Sequence, residues 1–153
     1  MNSSVIQRPR NLGALVGQTA RQWRRAVDKR LQPFGLTEAT WLPLLHLARA
    51  ARPMRQKDLA ASLALDSSSV VRLLDALEQG GLVERREGDN DRRAKTITLT
   101  QLGRETVAQV EVISAQVRDE VLSGLSTEEL DITFRVLDHI CAKLGPSEEA
   151  GLD

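Results

Sequence analysis

The chain has 153 residues, 21 Lys/Arg against 21 Asp/Glu, and one cysteine. That length can bury the core of one ordinary domain, and Cys141 alone excludes an internal disulfide framework or a multi-cysteine metal site. No stretch reaches the roughly 18 uninterrupted apolar residues of a membrane helix. Met1 to Pro9 lacks a signal-like apolar run, so a cytoplasmic location is expected.

Leu12, Leu15, Val16, Trp23, Val27 and Leu31 recur at helical spacing and predict a first helix over 12–31. Its other face carries Arg21, Arg24, Arg25, Lys29 and Arg30, and Pro33 and Gly35 stop it. Thr37 caps a second helix, with Leu36 and Trp41 placed to form a hydrophobic staple. Pro43 removes one backbone bond inside that helix and predicts a bend or irregular first turns. A short helix over 56–63 and a turn at Ala64-Leu65 follow. Asp66 then caps a helix over 67–79 that buries Val70, Leu73, Leu74 and Leu77, and Gly80-Gly81 closes it.

The pattern now changes to alternation. Residues 82–86 and 95–99 read as two strands around the polar segment 87–93, a β-hairpin with a charged tip. Thr100 caps a long helix over 101–122 with an apolar stripe of Leu102, Thr106, Val110, Ile113, Val117 and Val121. Ser126 opens a last helix reaching Leu144. It is apolar on two sides, through Leu130, Phe134, Leu137 and Cys141 and through Ile132, Val136 and Ile140. Such a helix needs cover from a second copy of the chain. Cys141 then reads as an inert core residue. The tail beyond Gly145 is polar and reads as frayed.

Zero net charge argues against a nucleic-acid partner, but the distribution reverses that impression. Residues 1–104 hold 18 Lys/Arg against 10 Asp/Glu, and residues 105–153 hold 3 against 11. A basic binding part and an acidic remainder follow. Helix, tight turn, helix and hairpin together give a mainly α fold with a small β-hairpin wing, a winged helix-turn-helix. The second helix of the pair fits a major groove about 12 Å wide. Its first turn offers Ser67, Ser68 and Ser69, whose hydroxyls can meet bases or phosphates or can simply cap the helix. Val71 suits a thymine methyl, and Arg72 a guanine or a phosphate. Arg92, Arg93 and Lys95 on the hairpin suit the minor groove, with Asp91 orienting an arginine.

Several runs in combination resemble the MarR family of bacterial regulators. They are Gln56-Lys57-Asp58-Leu59-Ala60, Ser68-Ser69-Val70-Val71-Arg72-Leu73-Leu74-Asp75-Ala76-Leu77-Glu78, Gly81-Leu82-Val83-Glu84-Arg85, Asp91-Arg92-Arg93-Ala94-Lys95 and Leu99-Thr100-Gln101-Leu102-Gly103. The resemblance covers almost the whole chain. It implies a homodimer, with an N-terminal dimerisation helix in 1–34, a DNA-binding domain in 36–100, C-terminal dimerisation helices in 101–145 and a flexible tail in 146–153. It further implies a pseudopalindromic double-stranded DNA operator, repression, and release by a small aromatic or phenolic acid. Arg55 stands where the family often has Thr or Ser, which removes a cap and adds a candidate phosphate contact. Gln56 and Arg85 complete the expected DNA-contacting set.

Arg21, Trp23, Arg24, Trp41 and His46 are the candidate liners of an effector pocket, although both tryptophans also suit a core. An enzyme is not expected. His46 and His139 lie far apart, and no Gly-rich phosphate loop or Cys/His metal spacing is present, so neither cofactor nor metal is expected. The alternative is a winged helix used for contact with an acidic protein, without an effector.

Overall fold

The computed structural model describes residues 11–88 and 91–145, apart from the side chains of 91–94. In chain order the elements are α1 (Leu12–Leu31), a 3₁₀ turn (Gln32–Phe34), α2 (Glu38–Arg49), β1 (Met54–Arg55), α3 (Gln56–Leu63), α4 (Ser67–Gln79), β2 (Val83–Gly88), β3 (Asp91–Leu99), α5 (Gln101–Val121) and α6 (Thr127–Leu144). The expected tail over 146–153 lies outside the described residues.

Local chemistry explains most boundaries. Asn11, Asp66, Thr100 and Ser126 each cap a helix by accepting a backbone N–H three residues on. Thr37 holds the N-cap position of α2, but its hydroxyl lies 3.3 Å from that of Thr40 and not on a backbone N–H. Arg55 has no acceptor to offer as an N-cap, so only the reciprocal half of a capping box forms. There the Asp58 carboxylate accepts the Arg55 N–H at 2.9 Å. The helix continues through Pro43, which is buried and interrupts no turn. Gly81, not Gly80, takes the left-handed conformation after α4, at φ 72°. The N–H of Gly81 donates to Glu78 O and that of Leu82 to Leu77 O, both at 3.0 Å, a Schellman closure.

The sheet has order β1-β3-β2 and is antiparallel. β1 is only two residues long, too short to announce itself by periodicity, and its Met54 pairs with Ile97. The hairpin is longer than the sequence suggests. Pairing runs from Val83↔Leu99 to Gly88↔Asp91, with an irregularity between Glu87 and Gly88. Asp91, Arg92 and Arg93 therefore fall within β3 and not in a loop, with Asp91 paired to Gly88 and residues 92–94 spanning the register shift.

Two apolar clusters form the core. One gathers Leu44, Leu59, Val70, Leu74, Leu77, Val83, Ile97 and Val107. The other gathers Val27, Leu31, Trp41, Leu45, Val110 and Val117. α2 and α5 contribute to both and so join the helix-turn-helix unit to α1. α5 turns inward a face that overlaps the expected one, with Val110 and Val117 buried and Ile113 packed beside them, but its ends differ. Gly103, Val107, Val110 and Val117 are buried, whereas Leu102 and Val121 are about half exposed, at 51% and 49%. α6 buries none of its residues within the chain, and Cys141 on it is exposed instead of forming part of a core.

The inward face of α5 is set by a close approach. Thr100 donates its N–H to Leu82 O at 3.1 Å and its hydroxyl to Gly81 O, while accepting the Gly103 N–H at 3.0 Å. A Cβ on Gly103 would lie 2.1 Å from Leu82 O, an impossible contact with backbone. Gly103→Ala should therefore cost at least about 3 kcal/mol. Gly13→Ala, whose added Cβ meets only ordinary van der Waals contact, serves as the control. Urea unfolding of the two variants checks this, and a Gly103→Ala protein as stable as the parent would show that α5 does not press on this turn.

Candidate nucleic-acid interface

α4 buries Val70, Leu74 and Leu77 and turns Ser67, Ser68, Val71 and Arg72 outward. These four lie on one helical face, as a groove-entering helix requires. Asp66 organises the first turn. Its Oδ1 accepts the Ser69 N–H at 2.7 Å and the Ser68 hydroxyl at 2.8 Å, and these bonds hold its carboxyl below the usual range. Ser68 thus spends its proton on the cap and keeps its lone pairs for an incoming donor. Ser69 is half-buried and faces α2. Arg72 lies over its own helix, with Nε 3.4 Å from Ser68 O.

Arg55 is exposed and Gln56 half-buried at the start of α3, and Lys95 is exposed opposite Glu87 on the ribbon. The side chains of Asp91, Arg92 and Arg93 lie outside the described residues. Arg85 departs from expectation. Its guanidinium pairs with Asp75 and sits 3.3 Å from Glu78, both on α4, and its side chain is only 20% exposed. Folding thus gives this cation two carboxylate partners within the chain.

A MarR-family profile matches residues 34–94. The solved structure of transcriptional regulator PA3341 is 44% identical with a TM-score of 0.81, over 86% of this chain and 96% of that one. The chain belongs to the MarR family. MarR from E. coli is 26% identical with a TM-score of 0.72, over 84% of this chain and 96% of its own. CouR from Rhodococcus jostii RHA1, solved bound to p-coumaroyl-CoA, is 28% identical with a TM-score of 0.74, over 86% and 92%. This MarR-family protein is accordingly a transcriptional regulator of winged-helix fold, and the proteins it resembles are regulators and not enzymes. Among its described residues no helix is long and apolar enough to cross a membrane.

The structure divides the expected pocket liners of this MarR-family chain between two cavities. Trp23, Arg24 and Trp41 line a slot of about 350 Å³ between α1, α2 and α5, together with Arg49, Ser114 and Arg118. Arg24 and His46 line an open groove of about 1000 Å³ between α2 and the α3–α4 pair, with Ser62, Ser69 and Arg72. Arg21 lines neither. Trp41 is 2% exposed and donates its indole N–H to Asp28 at 3.0 Å, so its main role is in the core.

Sequence reasoning missed Arg49, Ser114 and Arg118. Ser114 and Arg118 sit one helical turn apart, beside the buried Val110 and Val117. Extending the inward stripe of α5 to these polar neighbours would have found them. The Ser114 hydroxyl is buried with no hydrogen-bond partner.

His46 Nδ1 lies 3.0 Å from the Ser62 hydroxyl, which itself donates to Leu59 O at 3.2 Å. Ser62 therefore accepts, and Nδ1 carries the proton. Burial first, then Arg49 and Arg24, push the imidazole pKa below its ordinary 6.5. The folded state thus favours neutral His46, and the unfolded chain takes up the proton first as pH falls. Stability should drop as pH falls below about 6.5 and level off below the folded pKa. Melting temperature measured between about pH 7.5 and 5 should fall less for His46→Gln than for the parent. Parallel curves would remove His46 from the acid response.

Proposed function

We propose that the protein represses transcription as a homodimer on a pseudopalindromic double-stranded operator and that a small aromatic or phenolic acid releases it. The observation that carries the DNA reading is the outer face of α4, where Ser67, Ser68, Val71 and Arg72 stand clear of the core next to an arginine-bearing ribbon. Helix and ribbon serve the major and minor grooves respectively. Backbone contacts by Arg55, Gln56 and Lys95 set register, and base contacts by Ser68, Val71 and Arg72 set sequence.

Dimerisation is supported by the uncovered faces of the outer helices. Leu15, Val16, Ile132, Phe134, Val136 and Leu137 are all more than a third exposed. Apolar residues on this scale call for a partner surface. In a two-fold dimer the two copies of α4 would enter successive major grooves about 34–36 Å apart.

The slot between α1, α2 and α5 supports the effector reading. Its volume suits one aromatic ring with a short acidic chain. Trp23 offers a stacking face, the Ser114 hydroxyl has no partner, and Arg24, Arg49 and Arg118 are cations that an acid would have to share with Glu38, Glu111 and Asp119. That the related CouR was solved with p-coumaroyl-CoA, an aromatic acyl thioester, adds weight. The slot lies behind Trp41 and α2, which touch both core clusters, so a ligand there has a mechanical route to α4.

Genomic fragments retained by the purified protein define its operator. Affinity for that duplex should fall by orders of magnitude between about 50 and 200 mM salt. The double substitution Arg92→Ala/Arg93→Ala should weaken it at least about tenfold while leaving the protein folded. Retention of no duplex at low salt would end the reading, and equal affinity of the double variant would remove the ribbon from it.

Titration with p-coumarate or salicylate should quench tryptophan fluorescence and lower operator affinity in the same concentration range. Arg118→Ala should weaken both effects about tenfold or more. DNA release by these acids that Arg118→Ala leaves untouched would place the effector elsewhere.

A further inference from the structure

We propose that Arg85 is a positioning residue for DNA binding, which clamps the ribbon to the recognition helix through Asp75 and Glu78 and touches no DNA itself. The proposal rests on the reading above that α4 and the ribbon both engage the duplex.

The clamp follows from strand alternation. Along β2, Val83 is buried, Glu84 exposed, Arg85 half-buried and Arg86 exposed. Arg85 thus shares the inner face of the ribbon with Val83, which belongs to the core cluster containing Val70, Leu74 and Leu77 of α4. Its side chain is only 20% exposed, and its head reaches Asp75 and Glu78, which are three residues apart on α4. The guanidinium hydrogen-bonds to Asp75, which fixes its direction, while Glu78 at 3.3 Å from Nε adds charge attraction without a hydrogen bond. Arg85 pairs in the ladder with Ile97 of β3, the strand that also carries Arg92 and Arg93. Beyond the buried Val83, Arg85 is thus the polar link from this ribbon to α4.

The acids make the inference testable by sign. Two carboxylates on a DNA-facing helix repel phosphate, so neutralising them would strengthen binding if they acted only through charge. If they instead hold Arg85, neutralising them frees the ribbon and weakens binding. The full-length protein, as its dimer, is titrated with the selected operator by fluorescence anisotropy over a salt series. Melting curves and light scattering accompany each variant.

Arg85→Met, which keeps the stem, and Asp75→Asn/Glu78→Gln, which alters exposed carboxylates only, should each weaken operator binding about tenfold. Any fall in the slope of log affinity against log salt should not exceed that of Arg92→Ala/Arg93→Ala, because the contacts loosened are those of the wing. In the Arg92→Ala/Arg93→Ala background both losses should shrink to less than about twofold, as coupled sites require. If Arg85→Met misfolds, the carboxylate variant still decides.

Tighter or unchanged binding by Asp75→Asn/Glu78→Gln overturns the clamp. So does a further fall in the salt slope when Arg85→Met is added to the Arg92→Ala/Arg93→Ala background, which would mark a direct phosphate contact. Losses undiminished in the wing background overturn it too. A separate outcome, unchanged binding by Arg92→Ala/Arg93→Ala alone, sinks the wing contact and this role of Arg85 with it. It differs from failure of the clamp alone, in which the wing variant weakens binding and the carboxylate variant does not.

Discussion

The architecture depends on a knot of backbone where three elements meet at Gly81 and Leu82. α4 ends there in a left-handed turn, β2 begins one residue later, and the first turn of α5 presses on the same two carbonyls. Thr100 serves the knot three times, with its N–H, its hydroxyl proton and its hydroxyl lone pair. Gly103 is required because nothing larger than hydrogen fits against Leu82 O. The Leu-Thr-x-x-Gly run is thereby explained by contact geometry. It welds the end of the recognition helix to the start of the longest helix, so a movement of one is passed to the other without slack.

Burial outweighs ion pairing in holding that frame. Arg30–Glu120 and Arg49–Glu111 tie α1 and α2 to α5, but these side chains are 38–61% exposed, where such pairs contribute about 0–1 kcal/mol each. Leu31, Leu44, Leu59, Val70, Leu74 and Val110 are fully buried, and each such side chain stabilises by about 1.5–3 kcal/mol relative to exposure. The ion pairs orient the helices, and the two apolar clusters hold them. α2 belongs to both clusters, through Leu44 on one side and Trp41 and Leu45 on the other. With α5, which also belongs to both through Val107 and Val110, it is a route by which a change near Trp23 or Ser114 would reach the helix-turn-helix.

Features with a strong local cause were legible in the sequence. The caps at Asp66, Thr100 and Ser126, the bounds of α1, α3 and α4, and the Gly-Gly closure all follow from chemistry within four residues. What escaped was decided at long range. β1 exists only because β3 offers it an edge. The first turn of α5 was misread because Leu102 is more apolar than Gly103, and only the approach of Leu82 makes glycine the buried residue, whereas Val110 and Val117 further along were read correctly. Arg85 looked like a DNA contact because its partners lie ten and seven residues away on another element, beyond any periodicity. Ser114 and Arg118 escaped because a pattern of apolar residues passes over polar neighbours.

The uneven charge distribution also changes meaning once the partners are known. Arg30 and Arg49 from the basic part meet Glu120 and Glu111 from the acidic part, so some of the asymmetry is internal complementarity between packed helices. Arg24, Arg85 and Arg86 are answered by Glu38, by Asp75 with Glu78, and by Glu84. Among the described residues, Arg55, Lys57 and Arg72 enter no ion pair, and all three sit at the start of α3 or on the outer face of α4. A net charge of zero is thus compatible with a DNA-binding surface. The phosphate backbone responds to charges within about a Debye length, roughly 8–10 Å at physiological salt. Among the described residues, Arg21, Arg25 and Lys29 of α1 and Arg135 and Lys143 of α6 enter no ion pair either, so position next to the outer face of α4, and not pairing alone, singles out Arg55, Lys57 and Arg72.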